Sequence, residues 1–187
     1  MKFTELGIVL LFFLLLGCTQ PTTEANYVAN NNSLNNTADQ NAFTYFSSPL
    51  FMIYYPRGWH VTDNHESGVF LFTPPLENEN DKMAGEFVVE FLDFGNKTTS
   101  ADFEEHEKTL YNETATVTNI QNTTFKGKSA FVIEIEELGD PTMIYKTTYF
   151  KSGEWIYRLH YAIEKNKSNK YKPIMESILD KFVIGNG

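Results

Sequence analysis

The sequence is short of cysteine, basic residues and long apolar runs. Its 187 residues include one cysteine, so neither an internal disulfide framework nor a thiolate metal cluster can form. Fifteen lysines and arginines stand against 24 aspartates and glutamates, and the net charge of −9 argues against a nucleic-acid-binding protein. The apolar run at residues 6–16 is about half of the ~20 residues that a membrane-spanning helix needs.

The start of the chain has the pattern of a lipoprotein signal. Lys2 gives a weakly positive first segment, and the apolar run ends in Leu-Leu-Gly-Cys at Cys18, which has small-residue cleavage geometry. We therefore predict a signal peptide over residues 1–17 and a lipid on Cys18. This anchor would hold the rest of the chain on the extracytoplasmic face of the cell membrane.

Residues 18–42 change to a composition of Asn, Thr, Ala and Gln, which is typical of a flexible tether. The chain also contains six Asn-x-Ser/Thr sequons, each a candidate glycosylation site in an exported protein. An Asn/Thr-rich composition without glycosylation explains the same count. The six candidates are Asn31, Asn35, Asn96, Asn112, Asn122 and Asn166.

Aromatic residues make up 15% of the chain, which favours sheets with a well-filled core. Apolar and polar residues alternate in several segments, as in half-buried strands. We predict strands at residues 51–55, 69–72, 86–91, 131–136, 143–151 and 155–164, the last two forming a hairpin.

Two segments have helical spacing instead. Residues 100–112 follow a capping-box pattern that begins at Thr99. The apolar stripe from Tyr171 to Phe182 indicates a closing helix, with Ser168 as its cap and Pro173 in its first turn. The predicted fold of residues 43–187 is therefore a single α+β domain, a central antiparallel sheet flanked by helices.

Several segments resemble PsbP-like domains, named after the extrinsic oxygen-evolving enhancer protein of photosystem II. The resemblance rests on Phe51-x-Ile53-x-Tyr55-Pro56-x-Gly58-Trp59, Val69 and Pro74, Gly127-Lys128-x-Ala130, Trp155-x-Tyr157-x-Leu159-x-Tyr161, and Ile178-Leu179-Asp180-Lys181-Phe182-x-Ile184. It covers about residues 43–184 and departs at Lys181, where the family commonly has a small hydroxyl residue. The resemblance implies an α-β-α sandwich that binds other macromolecules. A photosystem role does not follow, because a lipoprotein signal and tether replace the photosystem-docking extension.

Four potential metal ligands lie within seven residues: His60, Asp63, His65 and Glu66. Two imidazoles and a carboxylate could hold a divalent ion. The spacing matches no helix or ribbon that would fix ligand geometry, so a solvated loop is the alternative. The acidic stretch at residues 77–81 lacks the glycine and the closing glutamate of an EF-hand loop, so a flexible acidic loop is favoured over a calcium site there.

Catalytic motifs are missing. Gly127-Lys128-Ser129 lacks the upstream glycine of a phosphate-binding loop, and no nucleophile elbow or zinc-protease motif occurs. The charged residues of the late strands fit a solvated or helix-covered sheet face better than an acid-base site. Among them His160 is expected to titrate near neutral pH if it lies partly covered beside carboxylates. The charged or titratable residues of the late strands are Glu134, Glu136, Lys146, Arg158 and His160.

Three functions from different classes remain after these exclusions. The preferred hypothesis is a non-enzymatic lipoprotein without a cofactor, acting as a binding or assembly module for an envelope protein. An exposed apolar patch without a deep pocket would favour it. The alternatives are a lipoprotein that binds a small ligand or a divalent metal, which requires a lined cavity, and an unrecognised hydrolase, which requires titratable groups converging in a cleft.

Overall fold

The alternating segments of the sequence form most of the strands of the protein. A computed structural model describes residues 42–78, 85–93, 99–111, 114–139 and 141–185. The strands are β1 (Phe43–Ser47), β2 (Phe51–Pro56), β3 (His60–Asn64), β4 (Val69–Thr73), β5 (Gly85–Leu92), β6 (Ala115–Phe125), β7 (Lys128–Glu137), β8 (Met143–Ser152), β9 (Trp155–Glu164) and β10 (Val183–Ile184). The helices are α1 (Ser100–Leu110) and α2 (Ser168–Lys181), with a 3₁₀ turn at Lys165–Lys167.

Seven strands form an antiparallel sheet in the order β3-β4-β5-β9-β8-β7-β6. The predicted β8–β9 hairpin is confirmed, and its turn contains Gly153 at a φ of 63°. β6 and β7 are joined by Lys126 and Gly127 at φ values of 49° and 77°, as a two-residue type I′ turn requires.

A second sheet has the order β1-β2-β10 and packs against one face of the large sheet together with α2. This side holds the main core, in which Ile53, Phe72 and Met175 are fully buried. The other face is covered by α1, whose Phe103 packs parallel to the Tyr149 ring at 4.6 Å between centroids. The antiparallel sheet with helices on both faces confirms the predicted α+β class.

The helices follow their sequence signals with one difference. Thr99 and Asp102 form the predicted capping box of α1. Ser168, predicted as the cap of α2, is instead its first residue, because the 3₁₀ turn Lys165–Lys167 already curls the chain before it. Pro173 lies at the sixth position of the helix, beyond the first turn in which it was predicted.

Four strands are absent from the sequence expectation: β1, β3, β6 and the two-residue β10. The segment at residues 60–66, expected as a loop, begins with β3, which pairs with β4 from His60↔Thr73 to Asn64↔Val69. Most of its side chains are exposed, so no apolar alternation marks it as a strand. Within the described ranges, neither helix has the length and apolar content to cross a bilayer. The predicted signal peptide and nearly all of the predicted tether lie outside the described residues.

Candidate functional site

The small sheet turns an apolar face to solvent. Strand alternation sends Phe46 and Ile53 inward, so the intervening residues face out. We call these side chains the outer patch: Phe43, which also packs against the edge of the main core, Tyr45, Met52, Tyr54 and Val183. Tyr45 is 62% exposed and Val183 47% exposed. The outer patch thus spans all three strands of the small sheet.

Tyr45 and Tyr54 are direct cross-strand partners, with ring centroids 6.2 Å apart. Met52 of β2 is likewise the direct cross-strand partner of Val183 in β10. These contacts hold the aromatic rings in fixed positions on paired strands. A rigid aromatic surface loses little side-chain entropy when it binds a partner.

Two lysines border the outer patch. A shallow groove of ≈ 400 Å³ is lined by the apolar residues Phe43, Tyr54, Phe182 and Val183 and by the charged residues Lys126, Asp180 and Lys181. The Lys181 ammonium lies 4.2 Å from the centroid of the Phe43 ring, a cation–π contact. The groove thus combines an apolar surface with two lysines and one aspartate.

A second groove, of ≈ 270 Å³, lies between β6–β8 and α2. Its central charges are already paired, since Glu176 accepts hydrogen bonds from Lys146 and from the Tyr161 hydroxyl, both at 2.8 Å. Burial and this carboxylate raise the pKa of Tyr161 above its usual value. The groove is slightly below the 300–1,000 Å³ typical of small-molecule sites. Its polar groups mainly join α2 to the sheet.

A buried network of charged and polar groups lies under α1. Glu107 is fully buried, and its Oε1 accepts hydrogen bonds from Arg158 Nε at 2.8 Å and from the Tyr149 hydroxyl at 2.5 Å. Arg158 also donates to Glu90 at 3.1 Å. The Thr147 hydroxyl lies 2.9 Å from Nδ1 of His160. We call these six side chains, with His160 and Thr147 included, the buried network.

The buried network keeps its two central groups charged. Burial alone would raise the pKa of Glu107, but the charge and hydrogen bond of Arg158 outweigh it and lower that pKa below its usual value. Burial opposes the charge of Arg158, and Glu107 nevertheless raises its pKa. Oε2 of Glu107 and the hydroxyl of Tyr111 are also buried, and burial together with the Glu107 carboxylate raises the pKa of Tyr111 above its usual value. The arrangement is a paired ion cluster sealed beneath a helix.

The expectation for His160 is wrong. Burial lowers its pKa to about 3, and the charge of Arg158 acts in the same direction. His160 is therefore neutral at neutral pH rather than poised to titrate there. The late-strand charges also divide between the two faces of the sheet. Lys146 pairs with Glu176 on the α2 side, whereas Arg158 and His160 belong to the buried network beneath α1.

The four metal candidates do not surround one point. Alternation along β3 places His60 and Asp63 on opposite faces of the strand. The Nδ1 of His65 approaches Asp63 Oδ1 at 3.5 Å. Across the described residues, no three His, Cys, Asp or Glu side chains are placed to hold one ion. The predicted metal site of His60, Asp63, His65 and Glu66 is therefore not formed among the described residues.

The other predicted sites lie partly within the described ranges. Glu77, from the acidic stretch, accepts hydrogen bonds of 2.6 Å from Lys170 and from the Tyr171 hydroxyl. These bonds lower the pKa of Glu77. Asn122 lies exposed in β6 and Asn166 exposed in the 3₁₀ turn. Cys18, Asn31, Asn35, Asn96 and Asn112 fall outside the described residues, so their modification stays a prediction.

Two functional features were missed by the sequence reasoning. Glu107 follows Phe103 by four residues and thus lies on the apolar face of α1. This position indicates a buried carboxylate, which requires a cationic partner. Two of the five residues of the outer patch come from β1, where Phe43, Tyr45, Phe46 and neighbouring polar residues give an incomplete alternation. Apolar residues on both faces of β1 are the pattern from which this strand and its exposed apolar face could have been predicted.

Comparisons with known proteins identify relatives in structure only. No protein-family model matches the chain, and no curated protein matches its sequence. The solution structure of cyanobacterial PsbP (CyanoP) from Synechocystis is 13% identical with a TM-score of 0.57, and the match covers 83% of this chain and 99% of that one. The crystal structure of LpqN, involved in cell envelope biogenesis of Mycobacterium tuberculosis, is 13% identical with a TM-score of 0.51, over 77% of this chain and 91% of that one.

At this level of identity the likeness concerns the fold alone. The CyanoP match spans nearly all of that protein, so the correspondence includes the whole domain rather than one motif. It agrees with the antiparallel sheet and the two covering helices. The chain therefore contains a domain of PsbP-like fold.

Proposed function

We propose that the protein is a lipid-anchored, extracytoplasmic binding or assembly module that docks on an envelope protein through the outer patch. The exposure of Tyr45 and Val183 on one rigid sheet face is the observation that carries this proposal. Contiguous exposed apolar surface commonly marks an interaction site, and tyrosine is enriched among the residues that dominate interface energies.

The position of the outer patch suits an anchored protein. The predicted tether leads directly into β1, and the carbonyl of Ala42 accepts a hydrogen bond of 2.8 Å from the backbone of Arg57, next to β2. A lipid on Cys18 would thus be attached, through residues 19–42, to the same sheet that displays the patch. LpqN, a structural neighbour, is involved in cell envelope biogenesis, which supports an envelope setting.

A binding role agrees better than catalysis with the chemistry of the described residues. The strongest cluster of ionisable groups is the buried network, and its central groups bind one another beneath α1. Neither groove is lined by Glu107, Arg158 or His160. General acid-base catalysis requires a titratable group within reach of substrate. The buried network therefore serves the stability of the fold in this proposal.

A second candidate function is binding of a small anionic amphiphile. The groove of ≈ 400 Å³ has the volume of a small-ligand site and combines aromatic rings with the ammonium groups of Lys126 and Lys181. Such a ligand would place its acidic group at the lysines and its apolar part against Phe43. This candidate shares the outer patch, so one experiment can separate the two.

The test is affinity capture of the full chain from detergent-solubilised membranes of the source cell. Tyr45→Lys adds a charge to the centre of the outer patch, and Leu138→Lys is the matched control because Leu138 is 61% exposed away from it. We expect one envelope protein in stoichiometric amount with the wild type and Leu138→Lys, and at least tenfold less with Tyr45→Lys. Equal recovery with all three proteins, or recovery of none, would contradict the proposal, whereas a co-purifying small molecule alone supports the second candidate.

A further inference from the structure

β6 is a long open edge of the large sheet. It runs for 11 residues, pairs with β7 on one side, and has no described strand on the other. Most of its side chains are exposed. Such an edge presents unpaired N–H and C=O groups that can accept another strand.

The usual protections of an edge strand are weak in β6. Its sequence, ATVTNIQNTTF, contains no charged residue and no proline. The opposite edge is different, because β3 has five residues and includes Asp63 and His60. The register of β6 shifts once, between Val117 and Asn119, and the stretch from Asn119 to Phe125 then pairs regularly with β7. A regular, uncharged segment of seven residues thus lies at the open edge.

We propose that β6 pairs antiparallel with β6 of a second copy of this chain, about a two-fold axis at Asn122. In this register Asn122 meets Asn122 of the other copy, Gln121 meets Thr123, and Ile120 meets Thr124. No like charges oppose each other within the strand pair, and the Thr, Asn and Gln side chains can exchange hydrogen bonds across it. The contact is isologous, so it closes as a dimer that joins two seven-stranded sheets.

A second copy is favoured as the occupant because β6 has no charge that would repel its own copy, and its Thr, Asn and Gln side chains can both donate and accept hydrogen bonds. This surface is separate from the outer patch, so the inference goes beyond the proposed function. Each copy carries a net charge of −9, which opposes association at low ionic strength. Attachment of both copies to one membrane would raise their effective concentration.

Disulfide trapping in the full chain tests the pairing directly. Asn122→Cys places a thiol at the proposed two-fold axis, where opposed Cα atoms would be about 5.5 Å apart, within the range that a disulfide spans. Thr62→Cys is the matched control, because Thr62 is an exposed residue of the other edge strand. On mild oxidation of membranes we expect Asn122→Cys to form a covalent homodimer at least tenfold faster than Thr62→Cys or the wild type.

A second measurement does not depend on a thiol. Sedimentation of purified protein at increasing salt should show a concentration-dependent dimer, reduced at least tenfold by Asn122→Lys and unchanged by Thr62→Lys. Thermal unfolding of each variant confirms that it folds. Equal cross-linking at both positions, a monomer at all salt concentrations, or cross-linking of Asn122→Cys to a different protein would overturn the proposal. So would a glycan on Asn122 in the native chain, since it would occupy the same edge.

Discussion

His160 should make the protein progressively less stable as the pH falls below 6.5. Its imidazole is 5% exposed, and its Nδ1 faces Thr147 Oγ1 at 2.9 Å and Arg158 Nη2 at 3.4 Å. Because an arginine can only donate, this nitrogen must be the unprotonated acceptor. A proton added to the ring would remove that acceptor and place a second cation beside the guanidinium.

The sign and size follow from the pKa. In the folded protein the pKa of His160 is about 3, against 6.5 in the unfolded chain. The unfolded state therefore binds the proton first on acidification, so the free energy of unfolding is at its full value above pH 6.5 and falls between pH 6.5 and 3. Each pH unit well inside that window costs about 1.4 kcal/mol, which gives about 3 kcal/mol between pH 7.5 and 4.5. Small domains are stable by only about 5–15 kcal/mol.

The assay is urea unfolding at several pH values, followed by tryptophan fluorescence, in the wild type and His160→Asn. The amide oxygen of asparagine can replace Nδ1 as the acceptor but does not titrate. We expect the variant to be less stable at pH 7.5 yet to lose about 3 kcal/mol less than the wild type on acidification. His65→Asn is the control, since the His65 side chain is 77% exposed. Parallel stability curves for wild type and His160→Asn would refute the reasoning.

Other groups near the buried network titrate in both proteins and cancel in the comparison. Burial lowers the pKa of His106, so its loss of stability has the same sign as that of His160. Burial raises the pKa of Glu86, and its protonation stabilises the fold as the pH falls. The pKa of Glu107 is lowered, so its contribution to the free energy of unfolding is fully present above pH 4.5. It is lost only below the range of pH 7.5 to 4.5 over which the two proteins are compared.

Three further predictions concern stability and lipidation. Glu107→Gln should reduce the free energy of unfolding at pH 7 by about 2–3 kcal/mol, because it leaves a buried guanidinium with one carboxylate; an unchanged urea midpoint would contradict this. Gly185→Ala should reduce the free energy of unfolding by about 1–3 kcal/mol and lower the melting temperature, since the added Cβ would collide with the backbone of residues 49–50. Gly139→Ala is the control: its Cβ would meet only an oxygen at 3.4 Å, so the melting temperature should change little. Cys18→Ala should abolish labelling of the protein with a radioactive fatty acid in growing cells; equal labelling of the wild type and the variant would rule out a lipid on Cys18.

The strands with apolar alternation were predictable, and those without it were not. β9 and α2 carry clear periods of two and 3.6, and both were confirmed. β6 is the longest described strand and was missed, since Thr and Asn on both faces give no hydrophobic contrast. Its strand state comes from pairing with β7 across a tight turn. Tertiary pairing of this kind is invisible to a local pattern.

The candidate site was predictable only in kind. An exposed apolar patch was the expected mark of a binding module, but its location depends on β10, whose two residues close the small sheet beside β2. Met52 and Val183 are far apart in the sequence, so no local sequence pattern predicts their contact. The ion pair of Arg158 likewise depends on α1, which places Glu107 beside Arg158 although the two residues are 51 positions apart in sequence.

The arrangement of the small sheet also determines how the domain bears mechanical load. A force applied to the chain ahead of Phe43 enters through β1, and the described partner of β1 is β2 alone. A pull directed away from β2 breaks the hydrogen bond between Arg57 and Ala42 first and then opens the strand from Phe43↔Pro56 toward Ser47↔Met52, one bond at a time. Sequential opening requires less force than shearing all the bonds together. Since Tyr45 leaves with β1, tension on the chain would dismantle the outer patch while the large sheet stays folded.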